Sequence, residues 1–298
     1  MEKLQILLLA IYGELLKMLC RLKLVRIPHG VNTSEKRAEK IIISLTSYGR
    51  RVSTVLPFTI ISLLRQTYKP DMVLLWLDSD HWNDEKLPEK LKKLQNNGLT
   101  IKYCKDIKSY KKLIPALELY PNDIIVTCDD DIYYRCTMLE RLILEYYKDP
   151  THVYSHRAHM VGLTSNGKLR PYNDWEEEIS GISGALVFPT GGSGCLYKKS
   201  LLYKDVCNED LFMKLAPKAD DVWFYFMEIL QQPTKVICYE EFICLREIIL
   251  SMFSKIYIFE NKDYINLFPV RVCIQPEIMS ALCAHYDEEL QEEISLEH

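Results

Sequence analysis

The chain has 298 residues, 48% of them hydrophobic, and a formal net charge of -4. This composition excludes a disordered chain and supports a large core, in either one α/β domain or one domain with an additional lobe. Charges of both signs are mixed without a long basic run, so nucleic acid is not an expected partner. The ten cysteines form no CxxC pair and no Cys/His ligand spacing, which favours reduced thiols in a cytosolic protein over a zinc site or a disulfide framework.

The N-terminal segment is amphipathic. Apolar residues recur with a helical period over residues 4–22, and Glu14 and Lys17 interrupt the run before it could span a bilayer. Two interpretations stay open: a helix that lies in the membrane interface through residues 4–26, or a helix that packs on its own domain. No signal-peptide cleavage site follows, so we expect a cytoplasmic protein, or one bound to the cytoplasmic face of the inner membrane. In the interfacial case, anionic headgroups would attract the basic residues Lys17, Arg21, Lys23 and Arg26.

The next part of the chain alternates between short apolar runs and segments with helical spacing. The predicted strands are 41–45, 72–77, 100–104 and 124–127. The predicted helices between them are 52–66, 87–97 and 108–119. This order predicts a mostly parallel sheet with helices on its faces. Because parallel strands end at the same edge, ligand chemistry should gather there, at residues 47–51, 78–80 and 129–131.

The loop after the first strand carries groups suited to a nucleotide. Tyr48 could stack on a base, and Arg50 or Arg51 could meet a phosphate. A polar turn after a strand is also commonplace, so the loop alone decides nothing.

Three consecutive aspartates, Asp129, Asp130 and Asp131, follow the fourth predicted strand. Adjacent carboxylates repel one another in a low-dielectric setting unless a positive charge lies among them. Mg²⁺ or Mn²⁺ is the simplest such charge, because these ions bind one or two carboxylates together with phosphate oxygens and water. Taken by itself, the run could equally be a solvated acidic turn.

The second half of the chain contains a glycine-rich segment, 180–199, and a second acidic pair. The glycines either let the backbone approach a ligand or make turns in a β-rich segment. Asp220 and Asp221 precede a predicted helix over 222–230, and since one carboxylate suffices as a cap, the other is free for chemistry. Beyond it we predict one short strand at 236–239, ambiguous apolar stretches, and then helix up to residue 293.

Together these segments resemble the bacterial family 2 glycosyltransferases and their GT-A-fold relatives. The similarity lies in four segments taken in order: the strand, loop and helix of 41–51 and 62–67, the aspartates 129–131 at the place of the DxD motif, the glycines of 191–194, and the Ala-Asp-Asp-x-Trp element of 219–223. The resemblance implies a GT-A-type nucleotide-diphospho-sugar transferase domain over residues 41–235. Flanking it would be an N-terminal helix, a C-terminal extension and a tag remnant, at residues 1–28, 236–295 and 296–298.

The resemblance also implies roles for the acidic residues. Asp131 and Asp129 would hold Mn²⁺ or Mg²⁺, and Asp129 would lie nearer the ribose or donor sugar. Asp221 would be the general base of an inverting transfer, with Asp220 as the alternative. His285 would supply a third metal ligand, although a lone histidine is more often a surface residue.

The remaining expected site residues lie on the donor and acceptor sides. Asp130 occupies the variable position of the motif and is expected to tolerate replacement best. The predicted nucleotide-sugar-binding residues are Ser47, Tyr48, Arg50, Arg51, Asp78, Asp129 and Asp130. The predicted acceptor residues are Trp175, Gly192 and Trp223.

The expected function is a metal-dependent transfer of a sugar from a nucleotide donor, by preference UDP-linked, to a saccharide or lipid-linked saccharide. Such a reaction would belong to bacterial capsule, lipopolysaccharide or exopolysaccharide synthesis. One alternative is a nucleotidyltransferase, which normally has a glycine-rich basic loop after its first strand, whereas residues 47–51 contain one glycine. A non-catalytic domain that binds a glycan or a partner is the other alternative.

Overall fold

The computed structural model describes residues 2–231, 234–236, 243–244, 247–250, 256–260, 263–266 and 276–286. A seven-stranded sheet forms its centre. In chain order the strands are β1 (Ile41–Thr46), β2 (Met72–Asp78), β3 (Leu99–Cys104), β4 (Ile124–Cys128), β5 (Tyr154–Ser155), β6 (Cys195–Tyr197) and β7 (Lys235–Val236). The helices are α1 (Glu2–Arg21), α2 (Arg51–Thr54), α3 (Leu56–Leu64), α4 (Glu89–Gln95), α5 (Ile114–Leu119), α6 (Met138–Lys148), α7 (Glu209–Leu215), α8 (Asp220–Ile229) and α9 (Pro276–His285).

The strand order across the sheet is β3-β2-β1-β4-β6-β5-β7. Strands β1 to β4 are parallel, β6 runs antiparallel to both of its neighbours, and β7 is parallel to β5. The central strands are mostly apolar, as expected for parallel strands that are buried on both faces. The mixed α/β fold with a mostly parallel central sheet and flanking helices, predicted from the sequence, is therefore confirmed.

Side chains of β1 alternate between two cores. Ile41 and Ile43 pack on one face with α3, α4 and α6, whereas Ile42 packs on the other face with α5, α7, α8 and α9. The strands thus form a rigid platform whose carboxyl edge carries the loops of interest.

Smaller strands surround the platform. Ile132–Tyr133 pairs with Ile243–Cys244. A three-stranded antiparallel sheet is formed by Glu176–Ile179, Ala158–Met160 and Val187–Pro189. Short 3₁₀ turns occur at Lys108–Lys112, Tyr172–Asp174, Gly191–Ser193, Lys199–Leu201 and Lys204–Cys207.

Two predicted helices are interrupted. The helix predicted over 52–66 is split into α2 and α3, with Pro57 in the first turn of α3. The helix predicted over 108–119 begins as the turn Lys108–Lys112, and Pro115 opens α5. In both cases proline lacks an N–H to donate and fits only the first turn, so it starts a new helix.

The C-terminal extension is less helical than predicted. Antiparallel strands occupy Glu247–Leu250, Ile256–Glu260 and Asp263–Asn266, and α9 is the helix described in this part of the chain. Isoleucine, tyrosine and phenylalanine dominate the middle strand, and these residues favour strands over helices. Of the strand predicted at 236–239, Val236 belongs to β7, and 237–239 lie outside the described residues.

Helix α1 confirms the predicted N-terminal helix, but Lys17 is 2% exposed and pairs with Glu14 at 2.5 Å, so it does not face outward with the other basic residues. Apolar side chains are exposed instead, namely Ile11, Tyr12, Leu15, Met18 and Leu22. Within the described residues, no helix is both long and apolar enough to cross a membrane. The seven cysteines whose side chains are described are free thiols.

Candidate functional site

The carboxyl edge of the sheet brings the predicted loops together. Register pairs Thr46 with Trp76 and Leu45 with Cys128, so the residues that follow β1 and β4 and the end of β2 lie side by side. At the end of β2, the Asp78 carboxylate accepts a hydrogen bond from the His81 backbone N–H at 2.9 Å and contacts the His81 ring at 2.5 Å. Asp78 therefore stabilises the turn that follows β2.

Arg51 pairs with the acidic run. Its guanidinium lies 3.1 Å from Oδ1 of Asp130 and forms a second ion pair with Oδ2 of Asp131. The guanidinium carbon is also 5.7 Å from the ring centre of Tyr48. Burial lowers the pKa of Arg51, but the two carboxylates outweigh it and raise the pKa, so Arg51 stays charged.

Asp130 is the most buried of the three aspartates. The exposed side-chain fraction is 6% for Asp130, against 39% for Asp129 and 18% for Asp131. The Ser47 hydroxyl donates to its carboxylate, and the Thr59 hydroxyl donates to its backbone carbonyl at 2.8 Å. Burial raises the pKa of Asp130 to about 7, with Arg51 acting in the opposite direction. These contacts argue against the expectation, taken from its variable position in the motif, that Asp130 tolerates replacement best.

Lys112, which is absent from the predicted site, joins the two acidic motifs. Its ammonium nitrogen lies 2.9 Å from Oδ2 of Asp220, 3.3 Å from Oδ1 of Asp129 and 3.5 Å from Oδ1 of Asp221. Burial lowers the pKa of Lys112, whereas the three carboxylates raise it well above its usual value. The residue ends the 3₁₀ turn that precedes α5. A lysine directly before an apolar helix is a weak signal, because such residues usually face water.

The glycine segment lies against these charges. A Cβ atom on Gly191 would be 2.9 Å from both Oδ1 of Asp221 and Nζ of Lys112, and one on Gly192 would be 3.1 Å from Oδ2 of Asp129. A side chain at Gly191 would therefore collide with the acidic groups. Of the two interpretations of the glycines, close approach of the backbone to other groups accounts for glycine at positions 191 and 192. Gly192 lies beside the acidic run.

Tyr134 connects the acidic run to the glycine segment. Its hydroxyl accepts a hydrogen bond from the Asp129 backbone N–H at 2.8 Å and donates one to the Gly192 carbonyl at 2.6 Å. The ring is 3% exposed, so this bridge is shielded from water. Tyr134 is a second site residue that the sequence did not reveal, since an aromatic after the acidic run also fits a core position.

The two aspartates that open α8 differ in their surroundings. Asp220 is 8% exposed, and its carboxylate accepts a hydrogen bond from the Ser109 hydroxyl at 2.7 Å in addition to the Lys112 ion pair. The side chain of Asp221 is 38% exposed. Removal from bulk water raises the pKa of Asp221 to about 6; Lys112 opposes this shift, and the charges of Asp220 and Asp129 add to it. Asp221 is thus the better placed of the two to meet a substrate.

The two tryptophans predicted on the acceptor side are core residues. Trp175 is 4% exposed, donates its indole N–H to the Arg170 carbonyl at 3.0 Å and packs on Phe188. Trp223 is fully buried and donates to the Val206 carbonyl at 3.1 Å. Because both rings are buried, neither ring face is available to a sugar. The sequence showed that these residues are aromatic but not that they are buried.

Polar side chains lie beside Trp175, which contacts the ring of Tyr172. Arg157 donates to the Thr190 hydroxyl at 3.3 Å, and His159 packs edge-on against Tyr172 with ring centres 5.5 Å apart. Burial raises the pKa of Tyr172 to about 12, and the charges of Arg157 and Asp221 act on the same phenol in opposite directions. We call Arg157, His159 and Tyr172 the Arg157 cluster.

The acidic residues suit a divalent cation by charge. Five carboxylates, those of Asp129–131, Asp220 and Asp221, face two basic groups, so negative charge is in excess. Among the described side chains, no group of three or more His, Cys, Asp or Glu residues could hold a metal by itself. Phosphate oxygens commonly complete such a site when only one or two carboxylates contribute.

Three other predicted site residues, Tyr48, Arg50 and His285, are exposed. Tyr48 is 46% exposed at the sheet edge, and Arg50 is exposed at the start of α2. His285 is exposed at the end of α9, where its ring packs edge-on against Tyr286 at 4.6 Å. The contacts described for His285 do not connect it to the acidic run, so the role predicted for it gains no support.

No protein-family model and no curated protein sequence matches the chain. Solved structures similar to it include S. aureus TarS 1-349 in complex with UDP-GlcNAc, with 13% identity over 86% of this chain and 71% of that chain and a TM-score of 0.48. S. aureus TarS 1-349 is 14% identical over 68% of this chain and 59% of that chain, with a TM-score of 0.45. CMP:2-keto-3-deoxy-manno-octonic acid synthetase complexed with CTP is 11% identical over 69% of this chain and 91% of that chain, with a TM-score of 0.43.

Proposed function

We propose that the chain is a glycosyltransferase that moves a sugar from a nucleotide-diphosphate donor to a hydroxyl group of a saccharide. The observation that carries this proposal is the meeting of the two acidic motifs around Lys112 at the carboxyl edge of the sheet. Ligands of open α/β sheets bind at that edge. A partly exposed carboxylate with a pKa of about 6, that of Asp221, is suited to take a proton near neutral pH.

The donor would bind along β1 and β4. Tyr48 is exposed at this edge and is suited to stack on the base, which we infer to be uracil. Arg51 and Lys112 present positive charge on either side of the acidic run, where the diphosphate would lie. Ser47 acts indirectly, because its hydroxyl holds Asp130.

The proposal includes a divalent cation, Mn²⁺ or Mg²⁺, which Asp131 and Asp129 would hold. Their carboxylates are the more exposed members of the acidic run, and the excess of negative charge favours a cation there. When bound, the ion would neutralise charge on the leaving diphosphate.

In the transfer, the acceptor hydroxyl oxygen attacks the anomeric carbon and its proton passes to the Asp221 carboxylate. The bond between that carbon and the diphosphate oxygen breaks, and the electron pair leaves with the diphosphate. Attack from the face opposite the leaving group would invert the anomeric configuration. Asp220 and Lys112 hold Asp221 in position for this step.

The acceptor is inferred to be part of a bacterial surface glycan and to be presented at an anionic membrane. Exposed apolar side chains recur at helical spacing along α1 and at the residue after it, at Ile11, Leu15, Met18 and Leu22. Exposed basic residues lie at the end of the helix and just beyond it, namely Arg21, Lys23 and Arg26. This combination is typical of a helix that lies in the interface of a membrane with anionic lipids.

Sedimentation with vesicles tests the membrane contact. We expect the chain to bind phosphatidylglycerol vesicles better than phosphatidylcholine vesicles, and a double variant with Leu15→Asp and Met18→Asp to lose this binding. Leu144→Asp serves as the control, because Leu144 is an exposed leucine on α6, outside the helix in question. Equal binding by the double variant and the wild type would contradict the inference.

Nucleotide-sugar binding and turnover test the proposed activity. We expect UDP with Mn²⁺ to raise the melting temperature, one UDP-sugar to be hydrolysed slowly or transferred, and EDTA to abolish turnover. Full activity in EDTA would remove the metal from the proposal. Release of pyrophosphate from a nucleoside triphosphate and a sugar phosphate would instead indicate a nucleotidyltransferase, and no response to any nucleotide would indicate a binding domain.

A further inference from the structure

The Arg157 cluster contains a cationic group that lacks an acidic partner. The Arg157 side chain is half-buried, and its described hydrogen bond is to the neutral Thr190 hydroxyl. Within the described residues, no Asp or Glu forms an ion pair with Arg157, and its Nε atom is buried without a hydrogen-bond partner. A guanidinium in this state is suited to bind an anion, because its planar donors match phosphate and carboxylate oxygens.

This guanidinium lies close to the proposed base. The Thr190 backbone N–H donates to the Arg157 carbonyl at 3.0 Å, and the next residue, Gly191, touches the acidic groups: a Cβ atom there would be 2.9 Å from Oδ1 of Asp221. Tyr172 lies near enough to both Arg157 and Asp221 for their charges to affect its pKa. A ligand held by Arg157 would therefore be a neighbour of the hydroxyl that Asp221 deprotonates.

His159 gives an independent indication of a ligand or ordered water. It is 1% exposed, and neither ring nitrogen has a hydrogen-bond partner in the described part of the protein. Burial, together with the positive charge of Arg157, lowers the pKa of His159 to about 4, so the ring is neutral at pH 7 and offers one donor and one acceptor. Buried polar groups are rarely left unsatisfied, so two such atoms beside an unpaired guanidinium mark a place where polar groups bind.

We propose that Arg157 binds an anionic group, a phosphate or a carboxylate, on the acceptor saccharide. The inference rests on the proposed glycosyl transfer and specifies its acceptor class. His159 and Tyr172 support the site as positioning residues: the neutral imidazole adds no competing charge, and the phenol packs against it. An anion here would also offset the positive charge that Arg157 otherwise carries without an acidic partner.

Binding measurements with the donor site filled test the proposal. The chain is saturated with UDP and Mn²⁺, so that added anions cannot occupy the diphosphate position, and is titrated with glucose 1-phosphate, glucuronate or glucose by calorimetry. We expect one of the two anionic sugars to bind and glucose not to bind. Arg157→Gln should weaken this binding about tenfold or more, and Arg157→Lys should weaken it less.

Arg170→Gln is the matched control, because Arg170 is an exposed arginine near the same cluster whose described hydrogen bonds use its backbone. A preference for glucose 1-phosphate or for glucuronate identifies the anion. Equal binding of glucose, unchanged affinity in Arg157→Gln, or binding of none of the three sugars would overturn the proposal. Failure of the proposed function is recognised separately, because UDP itself would then not bind.

Discussion

The two ends of the acidic site balance charge in different ways. On the β1 side, Arg51 lies between Asp130 and Asp131, and Asp130 is further held by Ser47. On the α8 side, Lys112 alone faces the carboxylates of Asp129, Asp220 and Asp221. The first arrangement resembles a structural clamp, whereas the second leaves more negative charge uncompensated.

This difference indicates a division of labour. Asp130, at the centre of the β1 side, is almost fully buried, and Asp221, on the α8 side, is partly exposed. Chemistry requires access to a substrate, so in the proposed transfer the α8 side would be the reactive one and the β1 side would fix the loop. Substitution of the partly exposed Asp221 should therefore affect mainly activity, and substitution of the buried groups Lys112 and Asp130 mainly stability.

The largest expected effect is on activity at the α8 side. Asp221→Asn should reduce turnover about 10² to 10⁴-fold, because an amide cannot accept the acceptor proton. Wild-type activity should fall as the pH drops below about 6, where the Asp221 carboxylate becomes protonated. Initial rates of Asp221→Asn and Asp220→Asn measured across this range decide the assignment. A larger loss for Asp220→Asn would transfer the role of base to that residue.

Lys112→Met should have the next largest effect, mainly on stability. The substitution leaves three carboxylates without their cation in a buried setting, where removing one partner of an ion pair costs about 3–5 kcal/mol. We expect a lower melting temperature in EDTA and partial recovery with Mn²⁺, which can replace the missing charge.

Lys105→Met is the control for this change. Lys105 pairs with Glu209 at 2.6 Å, but both side chains are exposed, and exposed pairs contribute little. Equal shifts in melting temperature for the two variants would show that Lys112 does not hold the acidic motifs together.

The sequence was sufficient to predict the platform of the site but not its charge partners. Parallel strands such as β1 and β4 are buried on both faces and so leave short runs that are mostly apolar, and their common direction brings the loops to one edge. The partner of Asp129 depends on how the turn before α5 packs, which no local pattern encodes. For the same reason Trp223 could be recognised as an aromatic residue but not as a fully buried one.

The smallest expected effect concerns the pH dependence of stability on the β1 side. Folded Asp130 keeps its proton up to a pH of about 7, whereas an unfolded aspartate loses it near about 3.9. Between these values the folded state binds more protons at Asp130, so the contribution of Asp130 to the free energy of unfolding should fall as the pH rises and should level off above about 7. Asp130→Asn removes this contribution and should reduce the slope measured by urea unfolding in EDTA, leaving the slope of Asp221 and of buried Glu228, whose pKa burial raises to about 8. Glu89→Gln, at a side chain that is 71% exposed, should leave the slope unchanged. If Asp130→Asn keeps the full slope, Asp130 is ionised in the folded protein. Two charged carboxylates then face Arg51 on the β1 side, and the two sides differ less in uncompensated charge than the comparison assumes.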